Sequence, residues 1–442
     1  MVETFIRKFT EAAHEKGIQN LEFYTESIQK VSASVYQGKP EYNQLSDVTT
    51  CYVEGEVNGK RGYIYVEDFS EEFFEEEIAN LIQVAECAGG AFQSKQLTTA
   101  DCDKEYTLTE ENALAEKLVQ AEEETLAENP GLKKFSHYEA QEVIRRILMQ
   151  NDKGDRMEDR TKYASLWLQA SAEKDGAVQT AGGNTLAGSV EELDFHAVSA
   201  EAAKEACEIL NAKPVPTGRY SVILKNSVIT EMLGMYKSAF GADNVRKKLS
   251  KLAEKKGEQI ASSIVNLIED PNLPEGVNKR AFDDEGMPTS RKEIIKDGVL
   301  QMFLYNCEEA KKAGCKSTGN GFKENYRSVP GIGVTNLKLV GEDKTREELI
   351  QEMGDGLYIT ACGGMFACAD PVTGKFSLIS KGYLVEGGKV TRGVNQITVA
   401  GNFFDMLHDI VGISNDYLVD GGMAGVFVAP SVRIKELVVS GT

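Results

Sequence analysis

The residues best placed to do chemistry in this chain are Thr230-Glu231-Met232-Leu233-Gly234-Met235. A helix-borne carboxylate such as Glu231 is a candidate general base, but it needs a water whose proton something else, ordinarily a metal ion, has loosened. In one metallopeptidase arrangement such a helix carries histidines at the first and last of six positions and glutamate at the second. Thr230 and Met235 stand at the two histidine positions here. Catalytic zinc takes about three protein ligands from imidazole, thiolate and carboxylate, and keeps one position for water. A threonine hydroxyl is a poor ligand, and a methionine thioether suits softer ions. The spacing keeps the base and lacks the metal that would make it useful.

Other groups do not supply the missing ligands. The four histidines, His14, His137, His196 and His408, are isolated from one another in sequence. His408 follows NFFDML and fits the surface of an amphipathic helix. Cys362 and Cys368, in ACGGMFAC, are the nearest pair of soft ligands, but zinc would want CxxC spacing or a neighbouring histidine, so they read as buried free thiols. These two cysteines and His408 are the candidates for a peptidase that works without a metal helix. Gly319-Asn320-Gly321 and Gly331-Ile332-Gly333 are glycine-rich, yet neither opens a helix with a following Lys-Ser/Thr, so neither is a phosphate loop. There is no nucleophile elbow.

The elements around Glu231 follow from local pattern. Ser221 to Leu224 reads as a short apolar strand, Lys225-Asn226 as a turn, and the segment to Gly241 as a helix. Val228, Met232, Met235 and Ala239 share one face of that helix, and Ile229, Leu233, Tyr236 and Phe240 another. A helix apolar on two faces is predicted to be buried. Upstream, an amphipathic helix carrying Phe5, Phe9 and Ala12 stops at Gly17. Strands are expected over Leu21–Ile28 and Val31–Tyr36, and hairpins at Asn58-Gly59 and Asp175-Gly176. Further helices are expected over Asp68–Ala88, from a Thr109 cap to Glu128, over Ser199–Leu210, and over Lys344–Met353. The basic residues Arg246, Lys247, Lys248, Lys251, Lys255 and Lys256 are spaced like the solvated face of a helix. Glu386–Lys389 and Val419–Gly422 read as tight turns.

The breaker cluster Lys213-Pro214-Val215-Pro216-Thr217-Gly218 is the best boundary in the chain. The expected fold class is α+β, with a mixed α/β N-terminal domain over residues 1–212 and a β-rich C-terminal domain over 217–442. At 442 residues and a formal charge of 49 − 69 = −20, the chain is globular in composition and repels a phosphate backbone, so no nucleic-acid partner is expected. Eight cysteines without a CxxC pair fit a reduced compartment. The acid-bearing N-terminus reads as an amphipathic helix, so no signal peptide is expected, and no apolar run approaches the ~20 residues of a membrane span. A cytoplasmic protein with no membrane partner is the expectation.

The strongest extended pattern is Phe282 to Gly321, FDDEGMPTSRKEIIKDGVLQMFLYNCEEAKKAGCKSTGNG. It reads as a turn over Asp283–Pro288, a strand at Ile294-Ile295, a turn at Asp297-Gly298 and a returning strand over Val299–Tyr305. A short helix, Glu308 to Ala313, closed by Gly314, follows, and then a loop over Ser317–Gly321 with exposed backbone. This block resembles the TldD/PmbA family of bacterial and archaeal proteins. So do Pro330 with Thr335-Asn336-Leu337, the run QITVAGN from Gln396 to Asn402, and the strand Gly425 to Ile434. The family works as pairs: a TldD-type subunit carries a histidine-glutamate-three residues-histidine helix and a metal-binding cysteine near its C-terminus, and a PmbA (TldE)-type subunit lacks them. Carried over, Thr230 and Met235 hold the histidine positions, Glu231 the glutamate position and Gly421 the cysteine position.

The resemblance implies a subunit with no metal or catalytic residue of its own. It implies a TldD-type partner that holds zinc, and a joint peptidase acting on unfolded peptides, leader peptides or toxins. It further implies that the loops at Gly319, Asn320, Gly321 and Asn336 border a cleft for extended peptide, where glycines let backbone meet backbone. The family is also described as a modulator of DNA gyrase; a charge of −20 makes any such effect indirect, through a processed peptide. The alternative is a homodimeric protein that binds extended peptides without hydrolysis, and a homodimer of the isolated chain fits either reading.

Overall fold

Side-chain alternation along unusually long strands shapes the first half of the chain. The computed structural model describes residues 1–87, 89–92, 95, 97, 98, 100 and 102–442. Strands β1 (Gln19–Tyr36), β2 (Lys39–Val57), β3 (Lys60–Val66), β4 (Leu132–Asn151), β5 (Arg156–Lys174) and β6 (Ala177–Ala187) form one sheet in the order β3-β2-β1-β4-β5-β6. Every neighbour is antiparallel. At about 3.3 Å per residue, strands of this length leave room for two cores on one face. At one end Phe23, Cys51, Val53 and Leu148 pack under α1 (Val2–Glu15) and α2 (Phe74–Cys87). At the other, Val31, Val35, Tyr138 and Leu166 pack under α3 (Glu111–Glu128) and α4 (Phe195–Glu208). Residues of opposite parity, Tyr24, Tyr52, Ile147 and Met149, face the other way and meet Phe282 from the second half.

Both expected hairpins form, with Asn58-Gly59 and Asp175-Gly176 in the left-handed backbone region that a type I′ turn needs. The two strands read over 21–36 are one continuous strand. The helix expected over Asp68–Ala88 opens with a 3-10 turn at Glu71–Phe73; its last expected residue, Ala88, lies outside the described residues. Thr109 does not cap α3. Its backbone N–H donates instead to the carboxylate of Glu142 at 2.7 Å. Glu142 is fully buried, and it takes the Thr109 and Val190 amides and the Lys162 ammonium because a buried carboxylate must be satisfied.

The second half carries β7 (Gly218–Leu224), α5 (Asn226–Tyr236), α6 (Ala242–Arg246), β8 (Leu267–Glu269), β9 (Lys292–Lys296) and β10 (Val299–Leu300). Then come α7 (Cys307–Ala313), β11 (Gly321–Phe322), β12 (Gly331–Ile332), β13 (Asn336–Leu339), α8 (Arg346–Met353) and β14 (Gly356–Gly363). The chain continues through α9 (Met365–Cys368), β15 (Lys375–Glu386), β16 (Lys389–Asn402) and α10 (Phe403–His408). It ends with β17 (Ile410–Ile413), β18 (Leu418–Gly422), β19 (Gly425–Ala429) and β20 (Val432–Ser440). One sheet runs β16-β15-β14-β7-β20-β17, and β20 pairs with β16 as well, so five of its strands close on themselves. A second runs β10-β9-β8-β13-β19-β18. Helix α5 belongs to the largest hydrophobic core, which draws on both sheets. The α+β class, mixed first and β-rich afterwards, is what the sequence led us to expect.

Three local expectations are corrected. The return strand read over Val299–Tyr305 is regular only at Val299–Leu300; beyond it the chain bonds to other segments, Leu304 N–H donating to the Phe240 carbonyl. The basic residues beyond Arg246 are exposed but not helical: the chain leaves α6 and runs in turns, with Lys248 left-handed at φ 59°. Val419–Gly422 is strand, because it pairs with β19, and the turn falls two residues later at Met423-Ala424.

A cluster of buried ions joins the halves. Arg280 donates to Asp284 at 2.7 Å and approaches Asp159 of β5 at 4.0 Å, while Arg145 of β4 donates to Glu26 of β1 at 2.6 Å. The Asp159 carboxylate also accepts the Ala281 amide, and that of Asp284 accepts the Lys323 amide. Burial by itself would raise the Asp284 carboxyl, but Arg280 and Arg145 hold it below its usual range. Removing one member strands a buried charge, which costs about 3–5 kcal/mol. Asp284→Asn is therefore expected to lower unfolding stability by about that amount in urea titrations, and Lys60→Ala, on the exposed Asn58-Gly59 turn, to change it by less than about 0.5 kcal/mol.

Candidate functional site

Helix α5 is pinned at its start before any chemistry is considered. The Lys225 amide donates to the Ile359 carbonyl, and its ammonium reaches Glu201 at 3.2 Å and Glu205 at 3.5 Å. Asn226 donates through its backbone to the Ser431 hydroxyl and through its side chain to the Asp416 carbonyl. Val228, Ile229, Met232, Leu233 and Tyr236 are buried, and Tyr236 stacks on Phe403 with ring centroids 4.2 Å apart. The predicted two-faced burial is what the structure has. Glu231 is the exception and faces solvent in a cavity of about 380 Å³.

The cavity lies between α5 and the edges of two sheets. Ser165, Trp167 and Gly182–Leu186 line it from β5 and β6, Asp420 and Gly421 from β18, and Thr360 and Ala361 from β14. Strands β6 and β18 are the last strands of their sheets and pack beside each other, with no ladder between them among the described residues. Two outer strand edges therefore border one space.

Thr230 is buried, and its hydroxyl donates to the Ser227 carbonyl at 2.8 Å and lies 3.5 Å from Asp420. Met235 packs against the core. Glu231 carries a carboxyl raised from the ordinary 4.5 to about 7, first because the cavity walls displace water and second because Asp420 is a like charge. Asp420 also accepts the Gly421 amide at 2.7 Å. Gly421 has φ +118°, and a Cβ there would come within 2.3 Å of the Gly425 carbonyl oxygen. This backbone holds no side chain at 421, cysteine included. Asp420, Trp167, Thr360 and the β6 edge were not singled out from sequence; the signal available was the Gly182-Gly183 pair downstream of the Asp175-Gly176 turn.

The other sequence candidates sit elsewhere. Gly319, Asn320 and Gly321 are buried, so the loop's backbone is not exposed as expected: Asn320 donates to the Gly333 carbonyl and accepts from Thr318, and the Gly321 amide donates to Asp283. Asn336 is fully buried, accepts the Asn278 amide and donates to the Asp270 and Asn278 carbonyls. None of the four lines the cavity beside Glu231. Cys362 is half-buried near Glu231; burial pushes its thiol up to about 11 and Glu231 adds to the rise, so it is protonated at neutral pH. Cys368 is exposed rather than buried, and His408 is an exposed residue ending α10. Among the described residues no group of three or more His, Cys, Asp and Glu is arranged to hold a metal ion. Glu231 and Asp420 alone do not fit catalytic zinc, which wants imidazole or thiolate among about three ligands. No described helix is long and apolar enough to cross a membrane.

Residues 217–441 match the PmbA/TldA metallopeptidase C-terminal domain and residues 104–210 the central domain of the same family. Metalloprotease PmbA of Escherichia coli O157:H7 is 33% identical over 219 residues, covering 50% of this chain and 46% of that one. A metalloprotease TldD homologue of Haemophilus influenzae is 29% identical over 257 residues, covering 55% and 52%. The aligned part spans about half the length of these curated relatives. Among solved structures, a Thermotoga maritima protein given as a candidate modulator of a DNA gyrase superposes over 100% of both chains, with a TM-score of 0.87 at 27% identity. TldE from Thermococcus kodakarensis shares the fold, with a TM-score of 0.89 at 20% identity over 99% of this chain and 100% of that one.

The raised Glu231 carboxyl makes stability depend on pH. The folded chain holds this proton more tightly than the unfolded one, so the contribution is full below about 4.5 and is lost as pH rises through about 7. Glu231→Gln is expected to exceed the parent's thermal midpoint by a clearly larger margin at pH 8 than at pH 5. An equal gap at both pH values, measured by circular dichroism, would contradict the assignment.

Proposed function

This chain belongs to the PmbA/TldD metallopeptidase family, and from that premise we propose that it is the PmbA (TldE)-type subunit of a two-chain peptidase, without catalysis of its own. The observation that carries the reading is the occupancy of the metal positions. Thr230 bonds to its own helix, Met235 packs into the core, and Gly421 cannot bear a side chain without moving the backbone. A TldD-type partner supplies the zinc and the cut. The substrate class is unfolded or leader peptide, because two strand edges bordering one cavity suit a chain that presents main-chain donors and acceptors.

Pairing is favoured by apolar surface that water opposes. Phe366 is 96% exposed on α9 and Ile379 is 69% exposed on β15, which touches α9. Burying two such side chains contributes about 1.5–3 kcal/mol each. A charge of −20 keeps DNA contact out of this reading. The cavity with its single tryptophan also supports the second reading, peptide capture by a homodimer without hydrolysis. A cysteine peptidase at Cys362 is disfavoured by its protonated thiol.

The purified chain is expected to hold no stoichiometric zinc and to cleave no denatured casein alone. Mixed with a TldD-type subunit, it is expected to elute as one complex that cleaves. Zinc at one equivalent with cleavage by the lone chain would overturn the proposal. Phe366→Asp with Ile379→Asp is expected to weaken pairing at least tenfold while the chain stays folded. An extended peptide is expected to change the fluorescence of Trp167, with or without chelator. Capture by a homodimer, with no cleavage when the partner is added, would establish the second reading instead.

A further inference from the structure

A second cavity, of about 980 Å³, shares no lining residue with the one beside Glu231. Its floor comes from the strand register. Tyr24 of β1 pairs with Tyr52 of β2, and Tyr52 with Tyr65 of β3, so three tyrosines lie in a row across adjacent strands. Tyr63 joins them, with ring centroids 5.5 to 5.9 Å apart among Tyr52, Tyr63 and Tyr65. The roof is the segment around Met287, Lys323, Val329 and Pro330.

Lys323 is the feature that the fold does not explain. It is 91% buried by its 9% exposure, yet its ammonium sits over aromatic faces, 4.1 Å from the Tyr52 ring centroid and 4.8 Å from that of Tyr24. Its one hydrogen-bond acceptor among the described residues is the Tyr326 carbonyl, at 3.2 Å. An ammonium has three N–H donors, so two lack acceptors there. The Tyr24 hydroxyl, in the same wall and on a residue 2% exposed, also has no hydrogen-bond partner among the described residues. Leaving such groups unsatisfied is unfavourable, and a bound acceptor recovers the loss.

The carboxylates of the wall do not fill this role, being held by other groups. Glu54 accepts from Tyr52 and pairs with Arg61, Asp284 is held by Arg280 and the Lys323 amide, and Glu285 accepts the Cys307 amide. At the rim Arg327 is paired with Glu67, and Lys312 with Glu308 and Glu309, so the cationic character open to a ligand rests on Lys323. In a chain of net charge −20, a cation-bearing cavity floored by tyrosine rings selects for ligand chemistry.

We propose that this cavity binds a small organic anion with a planar aromatic body, its carboxylate or phosphate on the Lys323 ammonium and its ring on Tyr63 and Tyr65. The anion completes the donors of Lys323, and ring-on-ring contact adds the offset or edge-on packing that aromatic pairs favour. The site stands independently of the peptidase reading, since neither Glu231 nor a partner chain contributes to it.

Isothermal titration of the full chain with N-acetylphenylalanine, N-acetylphenylalanine amide and phenyl phosphate tests it. The two anions are expected to bind and the neutral amide to bind at least tenfold more weakly; which anion binds more tightly distinguishes a carboxylate from a phosphate source. Lys323→Met is expected to remove the preference for anions, and Tyr65→Leu, a half-buried position, to weaken both anions at least threefold while the circular dichroism spectrum is retained. Equal affinity for acid and amide, no binding of any probe at millimolar concentration, or unchanged affinity in a folded Lys323→Met would each overturn the proposal.

Discussion

Opposite charges buried between the first sheet and a loop of the second half govern how this molecule is put together. Arg145 and Arg280, with Glu26, Asp159 and Asp284, sit where the first sheet meets the turn at Phe282–Pro288. Ions taken out of water tolerate little error in distance or angle, so such a cluster admits few relative placements of the parts it joins. Apolar contacts such as Phe282 against Tyr24 and Met149 add area but much less direction. Both cavities inherit their walls from this joint, because each takes one wall from the first sheet and the other from the second half.

The same logic explains why the Glu231 site keeps its form while its residues do not suit a metal. Helix α5 is held by Lys225, Asn226 and a nearly continuous apolar surface, none of which depends on what occupies positions 230 and 235. Thr230 satisfies itself on the preceding turn, and Met235 fills core volume. What is left open is a carboxyl group sharing one cavity with a second carboxylate, with two strand edges beside them. That arrangement is suited to holding a chain and poorly suited to activating water.

Much of the fold was legible in the sequence, and the misreadings have particular causes. Hairpins at Asn58-Gly59 and Asp175-Gly176, the strand-turn-helix at Ser221–Tyr236 and the Thr345-capped helix α8 are set by neighbours a few residues apart, so local chemistry suffices. Thr109 was misread because threonine favours the cap position, whereas α3 starts at Glu111 with Glu110 flanking it and Glu142 holds the Thr109 backbone outside the helix. The Val419–Gly422 segment looked like a turn because glycine and aspartate favour turns, but pairing with Gly425–Ala429 outweighs that preference. The Gly319–Gly321 loop looked open because glycines permit exposure; the Gly319 amide donates to the Ser317 hydroxyl and the Gly321 amide to Asp283, and the Asn320 carbonyl accepts the Gly333 amide.

By itself the sequence determined the family, the α+β class and the substitution of Thr230 and Met235 at the metal positions, since each is written in residue identity over short spans. Only the tertiary structure decided that Asp420 faces Glu231, that Gly421 cannot bear a side chain, that β6 and β18 border one cavity, and that Lys323 lies on a floor of tyrosines. Apart from the crowding of Gly421 by the nearby Gly425 carbonyl, those facts join residues roughly 190 to 300 positions apart, through strand register and the buried ions of the joint. Sequence spacing carries no record of distance once the chain has crossed from one sheet to another.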